Sequence, residues 1–185
     1  ILDKPDSGEI FIENKNINDL KEEERDLLRN RFLGFVFQFH YLLPEFSALE
    51  NVMMPALINK KIDKKKIKEK AMELLRSVEL EDRFDHKPSE LSGGEKQRVS
   101  IARALVGNPD IIIWDEPTWN LDPETASNIM DIFQELNDSW KTVIIATHDK
   151  NIVNDLKKRV ITFKDKKVYK NIVLIISRRQ FMIKI

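Results

Sequence analysis

Ile111-Ile112-Ile113-Trp114 runs straight into Asp115-Glu116 and then Pro117-Thr118. A strand that is apolar at every residue is buried on both faces, the pattern of a parallel sheet covered by helices. Thr142–Thr147 (TVIIAT) repeats the pattern and again ends in polar residues, His148-Asp149. Between the two, Asp122-Pro123 opens a helix to about Asn137, with Asp as N-cap and Pro at the first helical position. Strand, helix, strand in this rhythm predicts an α/β fold whose parallel sheet is joined by right-handed crossovers. Ligands of such sheets sit off the carboxyl ends of the strands. Here those ends carry Asp115, Glu116 and His148.

Working outward, residues 8–17 (GEIFIENKNI) alternate apolar and polar and predict a strand after a turn at Asp6-Ser7-Gly8. Asp19 is the expected N-cap of a short helix carrying Leu20, Leu27 and Leu28. Residues 32–39 (FLGFVFQF) read as a strand with Phe32, Phe35, Phe37 and Phe39 as its packing residues, and Gln38 lies near its end. From about 47 to 84 the pattern is helical. Lysines crowd residues 60–70, but Ile67, Ala71, Leu74, Leu75 and Val78 keep helical spacing, so the lysines form one wet face. Met53 and Met54 are read as core filling, and His40 and His86 as structural loop residues. A loop with Pro88 leads into a helix over Gly94–Val106, stopped by Gly107-Asn108-Pro109. A hairpin through Lys164–Lys167 closes the pattern at 159–169.

Composition narrows the function classes. The chain has 185 residues, 42% hydrophobic and 34% charged, enough apolar material for one domain. Lys+Arg and Asp+Glu both number 31, which argues against holding nucleic acid by bulk charge. The acid-rich start and base-rich end are read as solvated surface. With no cysteine there is no disulfide, thiolate zinc site or Cys nucleophile. No apolar run approaches the roughly 20 residues that span a bilayer. The opening Ile-Leu-Asp-Lys-Pro has no initiator Met and no signal-peptide pattern, so a start inside a longer protein is expected.

Two features carry chemistry. A carboxylate fixed at the end of a buried strand, Asp115, is a hard oxygen ligand suited to Mg²⁺, and its neighbour Glu116 suits a general base. Standing alone, the pair is weak evidence and is far more often an ordinary solvated loop start. Ser92-Gly93-Gly94 opens the Gly94–Val106 helix. Its free N–H groups and partial positive charge make a phosphate site, though a plain capped helix has the same residues.

Leu91-Ser92-Gly93-Gly94-Glu95-Lys96-Gln97-Arg98, Ile111 to Thr118, Asn120-Leu121-Asp122 and Thr147-His148-Asp149 follow one another in the order and spacing of ABC-type ATPases. From residue 1 to about 168 the chain resembles an ABC transporter nucleotide-binding subunit. Residues 34–58 (GFVFQFHYLLPEFSALENVMMPALI) resemble more particularly the ATP-binding subunit of bacterial lipoprotein-releasing transporters. Macrolide-type exporters and the cell-division ABC ATPase share the general shape of that loop. The resemblance implies a P-loop NTPase-type parallel sheet with an α-helical subdomain at about 47–90, in a domain covering 1–168, followed by an atypical tail at 169–185. It implies ATP and Mg²⁺, with Asp115 and Gln38 toward the metal, and Glu116, His148 and Gln38 as catalytic residues. Ser92, Gly93, Gly94, Gln97 and Asp122 would contact ATP, the signature residues across a dimer seam. The implied partners are a second ATPase subunit, in a homodimer, and integral membrane permease subunits at the cytoplasmic face of a bacterial inner membrane. Nucleic acid is not among them.

Departures from the family set the rival reading. The phosphate loop Gly-x-x-x-x-Gly-Lys-Ser/Thr is absent: the five glycines are Gly8, Gly34, Gly93, Gly94 and Gly107, and none precedes a Lys. In relatives that loop lies just before the segment matching Leu2–Gly8, so an N-terminally truncated chain with poor MgATP binding is expected. Trp114 and Trp119 stand where the family has small residues, and are expected to crowd the magnesium carboxylate and the dimer seam. Residues 171–185 (NIVLIISRRQFMIKI) match nothing in the family and would be aggregation-prone unless they pair with a strand. The alternative is a catalytically silent remnant that only docks to a membrane partner. A soluble ABC protein acting on nucleic acid or ribosomes is disfavoured by the balanced charge.

Overall fold

A computed structural model describes residues 8–12, 14–58, 62–139, 141–156, 158–165, 167–172 and 180–184. In chain order they form β1 (Phe11–Ile12), β2 (Lys15–Asn16), α1 (Glu22–Phe32), β3 (Leu33–Val36), α2 (Ala48–Leu57), α3 (Lys64–Ser77), α4 (Gly93–Leu105), β4 (Ile111–Asp115), α5 (Pro123–Asp138), β5 (Thr142–Thr147), α6 (Lys150–Leu156), β6 (Val160–Lys164), β7 (Lys167–Ile172) and β8 (Gln180–Lys184). The main sheet has the order β3-β4-β5-β8-β6-β7. All its pairings are parallel except the β6–β7 hairpin. This is the expected α/β architecture.

Register explains the core. Gly34, Ile112 and Val143 are aligned neighbours, as are Val36, Trp114 and Ile145, and all are buried. They pack with Val99, Ile101, Ala102 and Leu105 of α4 and Ile129 and Phe133 of α5. The alternate row, Phe35, Ile113 and Ile144, is only half-buried. The expectation that both faces of β4 and β5 are fully covered therefore holds on one face only, the one against which α4 and α5 lie. Gly34 allows the closest approach: a methyl group there would sit 2.6 Å from the Ala104 carbonyl oxygen of α4.

Several local expectations change. Residues 8–17 are not one strand but a two-stranded hairpin, β1 with β2, because Asn14 adopts φ 61° and turns the chain between them. The expected turn residues Asp6 and Ser7 lie outside the described residues. Asp19 ends a 3₁₀ turn (Ile17–Asp19) capped by Asn16, and Lys21 occupies the N-cap of α1. Leu27 is exposed, so it does not share a buried side with its neighbours. Phe32 is buried, but Phe39 lies beyond β3 and is 62% exposed, so it is not a strand-packing residue.

Between 48 and 91, α2, α3 and two short 3₁₀ turns (Glu81–Arg83 and Pro88–Glu90) pack onto the same buried cluster as the sheet. Ser47 and Glu50 form a capping box at α2. Asn51 is buried, yet fully engaged: its Oδ1 accepts from the Leu43 N–H at 2.8 Å, and its Nδ2 lies within 3.0–3.1 Å of the Leu43, Phe46 and Ser47 carbonyls. One side chain thus sets the path of the 43–47 loop. In the tail, β8 pairs with β5 and β6. Residues 173–179 lie outside the described residues.

Candidate functional site

Asp115 is the last residue of β4, exposed, with Ala146 of β5 as its ladder neighbour. Trp114, one residue back, points to the opposite face because side chains alternate along a strand. Its indole is wholly buried against Phe133, with ring centroids 3.5 Å apart. The expected crowding of the Asp115 carboxylate by Trp114 therefore does not occur. The indole has a different cost: its Nε1 is buried without an acceptor.

Glu116 leaves the strand with φ 46°, a left-handed conformation that a non-glycine residue adopts at a cost of about 1 kcal/mol or more. Its backbone is pinned from both sides: the Glu116 N–H donates to the Ala146 carbonyl at 2.9 Å, and its own carbonyl accepts from the Trp119 N–H at 3.2 Å. The turn aims the carboxylate across to the end of β5. Glu116 Oε1 accepts from the His148 N–H at 3.0 Å and lies 2.6 Å from His148 Nδ1. Glu116 Oε2 accepts from Thr147 Oγ1 at 3.1 Å. A carboxylate accepts only, so Nδ1 carries the proton, and the imidazole presents Nε2 outward. The structure thus joins Glu116 and His148, two of the residues picked out from sequence. It adds Thr147, wholly buried, whose hydroxyl also accepts from the Asp149 N–H at 3.1 Å. Trp119 stands beside this group, 45% exposed, its ring centroid 6.3 Å from that of His148.

Ser92 caps α4 in a capping box: Ser92 Oγ accepts from the Glu95 N–H at 3.2 Å, and Glu95 Oε2 accepts from the Ser92 N–H at 2.7 Å. That backbone bond, with the Arg83 guanidinium 2.8 Å from Glu95 Oε1, holds the Glu95 carboxyl below the usual carboxylate range. Gly93 is open, with nothing within 4 Å of where a side chain would be. Gln97 is different. It is buried and donates Nε2 to the Pro117 carbonyl at 3.3 Å, linking α4 to the peptide that follows Glu116. Asp122 is exposed at the start of α5, its Oδ1 accepting from the Thr125 N–H and its Oδ2 from Thr125 Oγ1.

Gln38 lies two residues past β3, half-buried. Its loop is tied to α4 by residues that sequence reading set aside. His40 Nε2 lies 3.2 Å from the Gly93 carbonyl oxygen, and Arg103 donates to the His40 carbonyl at 2.5 Å and the Tyr41 carbonyl at 2.7 Å. Burial holds His40 below its ordinary pKa, helped by the charges of Lys96 and Arg103 and opposed by the bond to Gly93.

No three His, Cys, Asp or Glu side chains converge as a metal cage among the described residues. Glu116 is already occupied by His148 and Thr147. Asp115 is the free carboxylate, which fits a cation held by few protein oxygens together with substrate phosphates and water rather than by a protein cage.

Comparison with known proteins places these strand ends in a family. The family model described as "ABC transporter" matches residues 2–119. The chain belongs to the ABC transporter family. It is 52% identical over 158 residues to the lipoprotein-releasing system ATP-binding protein LolD of Saccharophagus degradans, covering 85% of this chain and 69% of that protein. LolD 1 of Chlorobium chlorochromatii is 45% identical over 160 residues, 86% of this chain and 65% of that one. LolD of Aquifex aeolicus is 47% identical over 168 residues, 91% and 74%. The chain thus spans about two thirds of the length of these curated relatives. Among solved structures, the dimeric ATP-binding cassette MJ0796 in a post-hydrolysis state with ADP and Pi has a TM-score of 0.82 and 44% identity, covering 94% of this chain and 76% of that one.

Proposed function

We propose that this chain is the cassette of a lipoprotein-releasing transporter, hydrolysing ATP to drive the transport cycle. The observation that carries the reading is the Glu116–His148–Thr147 network at the strand ends of an ABC-family chain that is 52% identical to a LolD. Hydrolysis forms a bond from water oxygen to the γ-phosphorus and breaks the bridging P–O bond to ADP. Glu116, held by three hydrogen bonds, orients the water and receives its proton, while His148, with both ring nitrogens protonated, would donate its Nε2–H to the γ-phosphate. Mg²⁺ would be held by Asp115 with Gln38, and it supplies charge neutralisation on the phosphate oxygens. Ser92, Gly93 and Gly94 are assigned to the γ-phosphate of ATP on a second copy, with Asp122 at that seam. Gln97, buried and bonded to the Pro117 carbonyl, is assigned a supporting place behind the α4 start.

The permease subunits of a membrane are assigned to the surface carrying Phe39, Tyr41, Leu43, Phe46 and Ile58, which are all exposed. No helix among the described residues is long and apolar enough to cross a membrane, and the reading makes the chain peripheral, on the cytoplasmic face of a bacterial inner membrane. A second reading rests on one observation: none of the five glycines precedes a Lys, so the sequence as it stands holds no phosphate loop and would dock without turnover.

The test replaces the matching region of the S. degradans LolD by residues 2–168 and asks whether the chimera, assembled with its permease, releases lipoprotein from membrane vesicles in an ATP-dependent way. Release supports the reading. ATP turnover without release points to a macrolide-type or cell-division partner, and neither activity points to the silent remnant.

A further inference from the structure

The starts of α4 and α5 approach so closely that Gly94 has no room for a side chain. A methyl group built on Gly94 would lie 2.7 Å from Thr125 Cγ2 and 3.7 Å from Thr125 Oγ1. The two glycines of the signature turn therefore differ in kind: Gly93 faces open space, and Gly94 seats α4 on the first turn of α5. Thr125 is not free to step aside. Its Oγ1 donates to Asp122 Oδ2 at 2.6 Å, and its N–H donates to Asp122 Oδ1 at 3.0 Å. Turning the methyl away would rotate the hydroxyl off the carboxylate and break a charge-assisted bond, the stronger kind.

A second tie lies one turn further along α4, where buried Gln97 donates to the Pro117 carbonyl at 3.3 Å. Pro117 follows Glu116, and the Trp119 N–H closes the Glu116 turn. Between them, the two contacts bracket the whole 116–125 segment against the first turn of α4.

We infer that Thr125 is a positioning residue: its methyl and hydroxyl together lock Gly94 to Asp122, so that the 92–94 turn and the 116–122 segment move as one unit. The functional weight of this lock rests on the proposed reading of the α4 start as a phosphate site. The lock itself requires no nucleotide. A displacement of the Glu116 turn is passed to Ser92 and Gly93 through packed atoms, without a flexible joint between them.

The experiment is hydrogen–deuterium exchange on the chain as it stands, in peptides covering 90–98 and 116–126, with urea unfolding of every variant alongside. Gly94→Ala is expected to speed exchange in both peptides about tenfold, the effect of local overpacking at the modest end of its range, with smaller changes elsewhere. Thr125→Ser lacks the methyl but keeps the hydroxyl, so it should speed exchange in both peptides, by less than Gly94→Ala does. Gly94→Ala combined with Thr125→Ser relieves the overlap and should bring both peptides back at least to the Thr125→Ser rates. Thr125→Val keeps the bulk and loses the hydroxyl. It is expected to loosen 116–126, and it tests the lock if Gly94→Ala fails to fold.

The inference is overturned if Thr125→Ser does not rescue Gly94→Ala, or if Gly94→Ala speeds every peptide in step with lost global stability. It is likewise overturned if Thr125→Val leaves 116–126 unchanged. Loss of lipoprotein release by the chimera with the exchange coupling intact would remove the proposed function and leave the lock standing.

Discussion

Thr147 has no exposed surface, and its hydroxyl makes two bonds: it donates to Glu116 Oε2 and accepts from the Asp149 N–H, each at 3.1 Å. Thr147→Val keeps the shape and removes both. A hydrogen bond to a charged partner is worth about 1.5–3 kcal/mol and a neutral one about 1 kcal/mol. The added methyl returns roughly 0.8 kcal/mol of apolar burial, so the net loss is about 2–3 kcal/mol. Thr147→Ser keeps both bonds and loses only a buried methyl, about 1 kcal/mol. With a urea m-value of about 2 kcal/mol/M for a domain of this size, the Val variant should unfold about 1 M earlier and the Ser variant about 0.5 M earlier, with m unchanged. Equilibrium urea unfolding followed by tryptophan fluorescence measures this. A Val variant as stable as the Ser variant would refute the reasoning, because it would mean the hydroxyl does not hold Glu116.

Three further outcomes follow from the same geometry. Gly34→Ala drives a methyl to within 2.6 Å of the Ala104 carbonyl oxygen, so β3 and α4 must part, and urea unfolding should register a loss of about 1–3 kcal/mol. Burial keeps His40 neutral below the ordinary histidine pKa of 6.5, so as pH falls through that value the unfolded chain takes up a proton that the folded chain does not. Stability should therefore drop between about pH 7 and 5.5. His40→Gln should flatten that part of a thermal-midpoint profile, and an unchanged slope would show that His40 is not the group responsible. Arg103→Met removes both donors to the His40 and Tyr41 carbonyls. Limited proteolysis should then cut the 39–43 loop several-fold faster, as local opening becomes easier.

The reading of residues 111–116 and 142–148 from sequence rests on uninterrupted apolar runs that end in charge, a signal carried within six or seven residues. It fixed the strand direction and the location of Glu116 and His148. The α4 start was legible for the same reason, since the Ser92–Glu95 capping box spans a single turn. What escaped depends on distant partners. His40 meets Gly93 across 53 positions and Arg103 reaches Tyr41 across 62, so no local pattern distinguishes them from ordinary loop and helix residues. Thr147 was legible only as the first residue of the 147–149 motif, because the partner that gives its hydroxyl a role, Glu116, is 31 residues away. Alternation in residues 8–17 suggested a strand, but the left-handed turn at Asn14 folds it into a hairpin. Trp114 was expected beside the Asp115 carboxylate, and strand alternation sends it into the core instead. Gly93 and Gly94 looked equivalent in sequence, and only the packing of Thr125 separates them.

The central claim is that Glu116, aimed by His148 and Thr147, drives ATP hydrolysis. It is tested most directly by MgATP turnover in the LolD chimera carrying residues 2–168, with and without Glu116→Gln. The account predicts steady turnover in the parent and a loss of at least a hundredfold in Glu116→Gln, within the range for a lost general base, while the variant still binds ATP. Equal turnover by the two proteins would contradict it.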